Sequence, residues 1–130
     1  MGCGTGILAI LARKMKAKEV WAIDIEEWAY NNTIENINLN NTSQIHVIKG
    51  DAKNIPEKKF DLFLANINRN ILLEDIPKYA KKLKKNGKLI LSGFYEKDLP
   101  AIKNTTKNAG LEFSHYKEES NWIAAEKKKK

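Results

Sequence analysis

One cysteine, Cys3, stands in a chain of 130 residues. A lone thiol excludes an internal disulfide and every zinc motif built on several cysteines, and it fits a reducing compartment. The two histidines, His46 and His115, are far apart and have no clustered acidic or thiol partners, so they propose no metal site. No apolar run approaches the roughly 18 residues of a membrane span, and no basic-then-apolar leader with a cleavage site opens the chain. These absences predict a cytoplasmic protein with no membrane partner. No unit of about 20 to 50 residues recurs, which removes solenoids and propellers.

Hydrophobic residues make up 42% of the chain and charged residues 30%, which excludes disordered and fibrous classes. The length suits one domain that buries roughly two thirds of its unfolded surface. A formal charge of +7, from 23 basic and 16 acidic residues, permits an anionic partner without demanding one. Lys127 to Lys130 read as a basic, solvated, disordered tail behind a domain of residues 1–126. Lys78, Lys81, Lys82, Lys84 and Lys85 form a second basic stretch. Its one aromatic, Tyr79, falls among the residues expected to be buried, so the stretch reads as a solvated helix face in preference to an RNA site.

Short runs rich in Val, Ile, Phe and Leu lie at Val20 to Ile23, Ile45 to Ile48, Phe60 to Ala65, Lys88 to Leu91, Leu111 to Tyr116 and Trp122 to Ala125. Helical spacing fills most of the gaps, the β/α alternation of a parallel sheet flanked by helices. The first helix is expected to leave a glycine run and bury Ile7, Leu8, Ile10, Leu11 and Met15. The second runs from about Glu26 to Leu39 and stops at Asn40-Asn41. The third spans about Asn70 to Lys84, burying Ile71, Leu72, Ile76, Tyr79, Ala80 and Leu83. The fourth, from about Asp98 to Asn108, ends at Gly110 as a left-handed cap. The last two strands, with no helix between them, are expected to form an antiparallel hairpin at the sheet edge. Trp21, Trp28 and Trp122 read as packing aromatics, Trp122 with a second reading at a substrate mouth.

Gly2-Cys3-Gly4-Thr5-Gly6 leads straight into the first helix. Glycines permit positive backbone angles and close ligand approach, and helix-start amides favour polar or anionic oxygens. Plain turn chemistry explains such a run equally well. Asp24 changes the balance, because it stands at the end of the next strand, where nucleotide-binding α/β units place a carboxylate for ribose hydroxyls. Its rival role is a cap in Asp-Ile-Glu-Glu. The spacing G-x-G-x-G lacks the last glycine of the dinucleotide fingerprint and suits a nucleoside ligand without phosphates.

These residues, with Ala22-Ile23-Asp24, Gly50-Asp51-Ala52, Leu64-Ala65-Asn66-Ile67 and Leu91-Ser92-Gly93, resemble the successive motifs of a class I methyltransferase. The wording is most similar to the PrmA family, which methylates amines of ribosomal protein L-eleven, from Gly2 to about Ala125. The resemblance implies a Rossmann-like α/β sheet, mostly parallel with an antiparallel C-terminal hairpin. It implies S-adenosylmethionine as cofactor, met by Gly2, Cys3, Gly4, Thr5 and Gly6 at the methionine end. Asp24 would then bind the ribose, Ile25 pack on the adenine, and Asp51 with the Ala52 amide meet the adenine edge. From the residues alone, Asp51 reads first as a local turn cap. Asn66, at a strand tip, would orient the acceptor amine, its rival role being a cap of the next helix. Asn66-Ile67-Asn68 lacks the two prolines of the enzymes that methylate DNA adenine or protein glutamine.

The implied function is methylation of a lysine or N-terminal amine of a ribosomal protein, with RNA a less favoured partner. RNA or small-molecule methyltransferases, a nicotinamide-dependent oxidoreductase and a non-catalytic nucleoside-binding fragment are the competing readings. Met1 falls inside the first motif. The expected fold therefore lacks its first strand and the family's N-terminal substrate domain. That expectation allows neighbouring strands to close up, a strand to be borrowed by self-association, or a weakly stable fragment.

Overall fold

A computed structural model describes residues 1–119 and 122–129, with side-chain surroundings through residue 112. Two compact units make up the chain, Met1–Ile55 and Pro56–Lys130.

In the first unit, helix α1 (Ile7–Lys14) precedes strand β1 (Val20–Asp24), helix α2 (Glu27–Leu39), strand β2 (Ile45–Lys49) and a short 3-10 turn at Ala52–Asn54. β1 and β2 pair in parallel, from Val20↔Ile45 to Asp24↔Lys49. Parallel neighbours need a crossover, and α2 supplies it. Thirteen residues without glycine or proline sustain α2. Glu27 in its first turn complements the helix dipole. Asn40 ends it and Asn41 turns left-handed at φ 50°, as the sequence predicts. Its buried residues, Ala29 and Thr33, are one turn apart.

The expected buried side of α1 is corrected: Ala9 and Ile10 are buried, whereas Ile7 is 69% exposed, Met15 73%, and Leu8 and Leu11 also face outward. Within its unit, α1 packs against β1, β2 and α2. A two-stranded sheet is too narrow to cover so wide an apolar face. Trp28 is exposed as well, while Trp21 stacks on His46 at 4.1 Å. The Trp122 side chain lies outside the described residues.

The second unit comprises β3 (Phe60–Asn66), α3 (Arg69–Lys81), β4 (Leu83–Tyr95), a turn at Glu96–Asp98, α4 (Leu99–Asn108), β5 (Leu111–Glu119) and β6 (Trp122–Lys129). Its four-stranded sheet has the order β3-β4-β6-β5. β3 and β4 are parallel, and β6 is antiparallel to both neighbours, so the hairpin reading holds with β5 at the edge. Leu72, Ile76 and Tyr79 of α3 are fully buried, as are Leu89 and Leu91 of β4 and Ile102 of α4. Phe63 stacks on Tyr79 at 5.4 Å. Ile71 is exposed, against expectation, because it lies in the first turn of α3 beside the Asn68 cap.

Three further differences follow, the first two with local causes. α3 stops at Lys81, because Leu83 already pairs with Phe60, and the ladder resumes only at Leu62↔Lys88. The bulged stretch of β4 between Leu83 and Lys88 turns at Asn86, φ 67°, and is followed by Gly87, where a Cβ would fall 2.8 Å from the Lys84 carbonyl. Lys127 to Lys129, expected in a disordered tail, continue β6, because that strand has a hydrogen-bonding neighbour on each side. Lys130 lies outside the described residues. Finally, the strands form two sheets, β1-β2 and β3-β4-β6-β5, where the alternation predicts one. Gly110 adopts φ 83° after α4, the expected left-handed cap. Among the described residues no helix is long and apolar enough to cross a membrane.

Candidate functional site

In the first unit the glycine loop folds back on itself and onto β1. Gly2, Gly4 and Gly6 have φ of 66°, 55° and 83°, a left-handed region that only glycine enters cheaply. The Gly6 amide donates to the Cys3 carbonyl at 2.8 Å, and the Cys3 amide to the Ile23 carbonyl at 3.1 Å. Gly6 then serves as the N-cap position of α1 without a side-chain cap. Asp24, half-buried at the end of β1, accepts the Gly4 amide on Oδ2 at 3.1 Å and the Glu26 amide on Oδ1 at 3.0 Å. Its two sequence-level roles thus coexist, since it braces the entry to α2 and also faces the loop. A carboxylate offers about four acceptor positions, so two protein amides leave capacity for hydroxyl donors.

The Gly50 amide donates to the Asp24 carbonyl at 2.8 Å, bringing the Gly50-Asp51 corner beside the end of β1. Asp51 is the local cap that the residues alone favoured: Oδ1 accepts the Lys53 amide at 2.9 Å, while Asn54 Oδ1 accepts the Asp51 amide at 3.0 Å. The buried Ala52 follows. Ile25 is 64% exposed, an apolar surface next to Asp24. The structure therefore gathers the loop, Asp24, Ile25, Asp51 and Ala52 at one end of a parallel strand pair, where open α/β sheets hold ligands.

Two residues that motif reading missed hold the loop from behind. Thr33 Oγ1 donates to the Gly4 carbonyl at 3.1 Å, and Asn36 Nδ2 to the Thr5 carbonyl at 2.8 Å. Their spacing of three on a helix was the available signal. The Thr33 hydroxyl has one proton and gives it to Gly4. Thr33 Oγ1 also lies 3.4 Å from Cys3 Sγ. Burial pushes the Cys3 thiol above its ordinary range; the Thr33 contact opposes this and the Asp24 charge adds to it. Because the folded form holds this proton more tightly, that contribution to stability is complete below about pH 8.5 and is lost as pH rises further. Iodoacetamide at pH 8 should alkylate Cys3 at least about threefold more slowly than free cysteine, as followed by intact-mass spectrometry. An equal rate would show the thiol to be open and unshifted.

In the second unit Asn66 ends β3, exposed and paired in register with Ser92. It does not cap α3. That role belongs to Asn68, whose Oδ1 accepts the Ile71 amide at 3.2 Å. Gly93 lies against Asn66 at φ 92°, and a Cβ there would fall 2.9 Å from Asn66 Oδ1 and 2.9 Å from the Ile67 carbonyl. Arg69 pairs with Asp98 at 3.4 Å, and Asp98 accepts the Tyr95 amide at 3.1 Å, tying the start of α3 to the end of β4. In the basic stretch, Lys78 meets Asp75, Lys82 meets Glu57 at 2.7 Å and Lys84 meets Asp61. The Lys82 hydrogen bond holds the Glu57 carboxyl below its ordinary range. Acidic partners so placed support a solvated, self-paired face.

A family model described as ribosomal protein L11 methyltransferase (PrmA) matches residues 1–130. A ribosomal protein L11 methyltransferase of Bacteroides fragilis is 50% identical over 125 residues, 95% of this chain and 45% of the relative. The chain thus spans about half the length of the curated relatives it matches. The crystal structure of the ribosomal protein L11 methylase from Lactobacillus delbrueckii subsp. bulgaricus superposes with a TM-score of 0.93 at 34% identity, covering 99% of this chain and 67% of that one. M. jannaschii TYW2 in complex with AdoMet, 23% identical, shares the fold at a TM-score of 0.74 over 98% of this chain and 65% of that one.

Proposed function

The chain belongs to the PrmA family of ribosomal protein L11 methyltransferases, and from that premise we propose that it binds S-adenosylmethionine and serves methylation of an amine of a ribosomal protein. The observation that carries this reading is the Asp24 carboxylate joined to the Gly4 amide, beside the exposed Ile25 and the Asp51 corner. A nucleoside fits that donor and acceptor set: Asp24 keeps acceptor capacity for two ribose hydroxyls, Ile25 offers an apolar face for a base, and Asp51 has a second carboxylate oxygen for an exocyclic amine. Gly2, Cys3, Gly4, Thr5 and Gly6 would meet the methionine end, and the Ala52 amide the adenine edge. The reading includes β6 through Lys129 in the domain and takes the protein to be cytoplasmic.

The cofactor when bound supplies a methyl group on a sulfonium, so transfer is a displacement in which the positive charge passes from sulfur to the amine nitrogen, to be shed with a proton, and no covalent enzyme intermediate is needed. The protein's part is to hold donor and acceptor in line. Asn66, at the tip of β3 and without a titrating group, would accept a hydrogen bond from the acceptor amine and aim its lone pair. A lysine acceptor must lose a proton, at a cost of about 4 to 5 kcal/mol at pH 7. A dry pocket and a nearby positive charge lower that cost.

Asn66→Ala should reduce turnover of a ribosomal protein substrate about a hundredfold while cofactor affinity stays within about twofold. Mass spectrometry of the methylated substrate and calorimetry with S-adenosylhomocysteine measure the two. Unchanged turnover would remove Asn66 from the chemistry.

A further inference from the structure

We propose that Thr33 and Asn36 of α2 are positioning residues for the cofactor, gripping the Gly4 and Thr5 carbonyls so that the glycine loop is fixed with the Thr5 amide left for the ligand. The inference rests on the cofactor reading above and extends it to two side chains that face away from any ligand.

A loop that presents N–H groups must dispose of its carbonyls elsewhere, because peptide donors and acceptors point in opposing directions and buried ones need partners. From Cys3 to Gly6 each carbonyl has a donor. Cys3 accepts from the Gly6 amide, Gly4 from the Thr33 hydroxyl, Thr5 from the Asn36 amide group and Gly6 from the Ile10 amide. Two of these four bonds come from side chains, and both side chains lie on one face of α2. The Thr5 amide, by contrast, meets no acceptor among the described residues, and α1 starts without a side-chain cap. The Cys3, Gly4 and Gly6 amides already bond the Ile23 carbonyl, Asp24 and the Cys3 carbonyl, so the loop leaves one amide, that of Thr5, for a ligand.

Thr33 is fully buried and also fixes how near the loop can come. A Cβ on Gly6 would fall 2.7 Å from Thr33 Cγ2, so loop and helix approach to a distance that only glycine permits. The hydroxyl, the methyl and the Cys3 contact together leave the loop one position against α2. Asn36, half-buried one turn further on, fixes the next peptide. A tethered loop loses little freedom when a ligand docks, and preorganisation of this kind appears directly in affinity.

The test compares Thr33→Val, Thr33→Ser and Asn36→Leu with the unaltered chain, using S-adenosylhomocysteine in calorimetry and amide hydrogen exchange at residues 3–6 without ligand. Valine keeps the shape and removes the hydroxyl, so Thr33→Val should raise Kd about tenfold and speed exchange at the loop. Thr33→Ser should restore affinity to within about twofold, and Asn36→Leu should raise Kd about three- to tenfold. Thr106→Val is the control, because Thr106 is an equally buried threonine whose hydroxyl bonds its own helix at Ile102 and Lys103 in the other unit. It should change the melting temperature and leave Kd alone. If Thr33→Val fails to fold, the half-buried Asn36 site carries the test. Wild-type Kd and exchange rates in both Thr33→Val and Asn36→Leu would overturn the positioning role while leaving the cofactor reading intact. Absence of binding by the unaltered chain would overturn that reading, and this inference with it.

Discussion

Asp24→Ala should weaken S-adenosylhomocysteine binding about tenfold to a hundredfold, the cost of losing charge-assisted hydrogen bonds of about 1.5 to 3 kcal/mol. The effect is expected to be large because one side chain serves two purposes. Its Oδ2 accepts the Gly4 amide and its Oδ1 the Glu26 amide, so alanine releases the loop and the entry to α2 together with the ligand's hydroxyls. Asp24→Asn should fall between, since it keeps one acceptor oxygen and replaces the other with a donor that opposes an amide. Calorimetry on both variants, with circular dichroism to confirm folding, measures the difference. Affinity for Asp24→Ala equal to the parent's would remove Asp24 from the site.

Gly93→Ala should lower the melting temperature by about 5 to 15 °C and depress turnover with it. Two penalties coincide there. The φ of 92° costs a side chain about 1 to 3 kcal/mol, and the new Cβ would press on Asn66 Oδ1 and the Ile67 backbone, which cannot swing aside. Gly110 separates the two, because at φ 83° it has nothing within 4 Å of a Cβ. Gly110→Ala should therefore show the backbone penalty alone, with turnover per folded molecule unchanged. Gly93→Ala and Gly110→Ala equal in both melting temperature and turnover would mean that Asn66 is not held by the close approach at Gly93.

Much of this was legible in the sequence. The alternation of apolar runs located all six strands, and Gly2 to Gly6 with Asp24 located the loop and its carboxylate. Periodicity reports which residues share a face, however, and not whether anything lies opposite. That is why Ile7, Leu8, Leu11 and Met15 read as core and stand exposed on α1. The early start of β4 at Leu83 escaped because a lysine-rich segment carries no strand pattern; Asn86 and Gly87 supply a backbone turn that composition does not announce. In the site, residues with motif chemistry could be found by spacing. Thr33 and Asn36 offered only a shared helix face, because their importance lies in what they grip, the carbonyls of Gly4 and Thr5, and a backbone acceptor leaves no trace in residue type.

The order β3-β4-β6-β5 sets a schedule for the nascent chain. β5 leaves the ribosome before β6 yet has no direct neighbour in the sheet until β6 arrives. The β5–β6 hairpin is a local closure and can form within microseconds once both strands are free. Its docking on β4 is the longer-range step, so the earlier strands wait with a bare edge while residues 122–129 are still in the tunnel. The four-stranded sheet is therefore completed in reverse, from its late hairpin inward. Stalled translation inside β6 would leave β4 open to pairing with other chains.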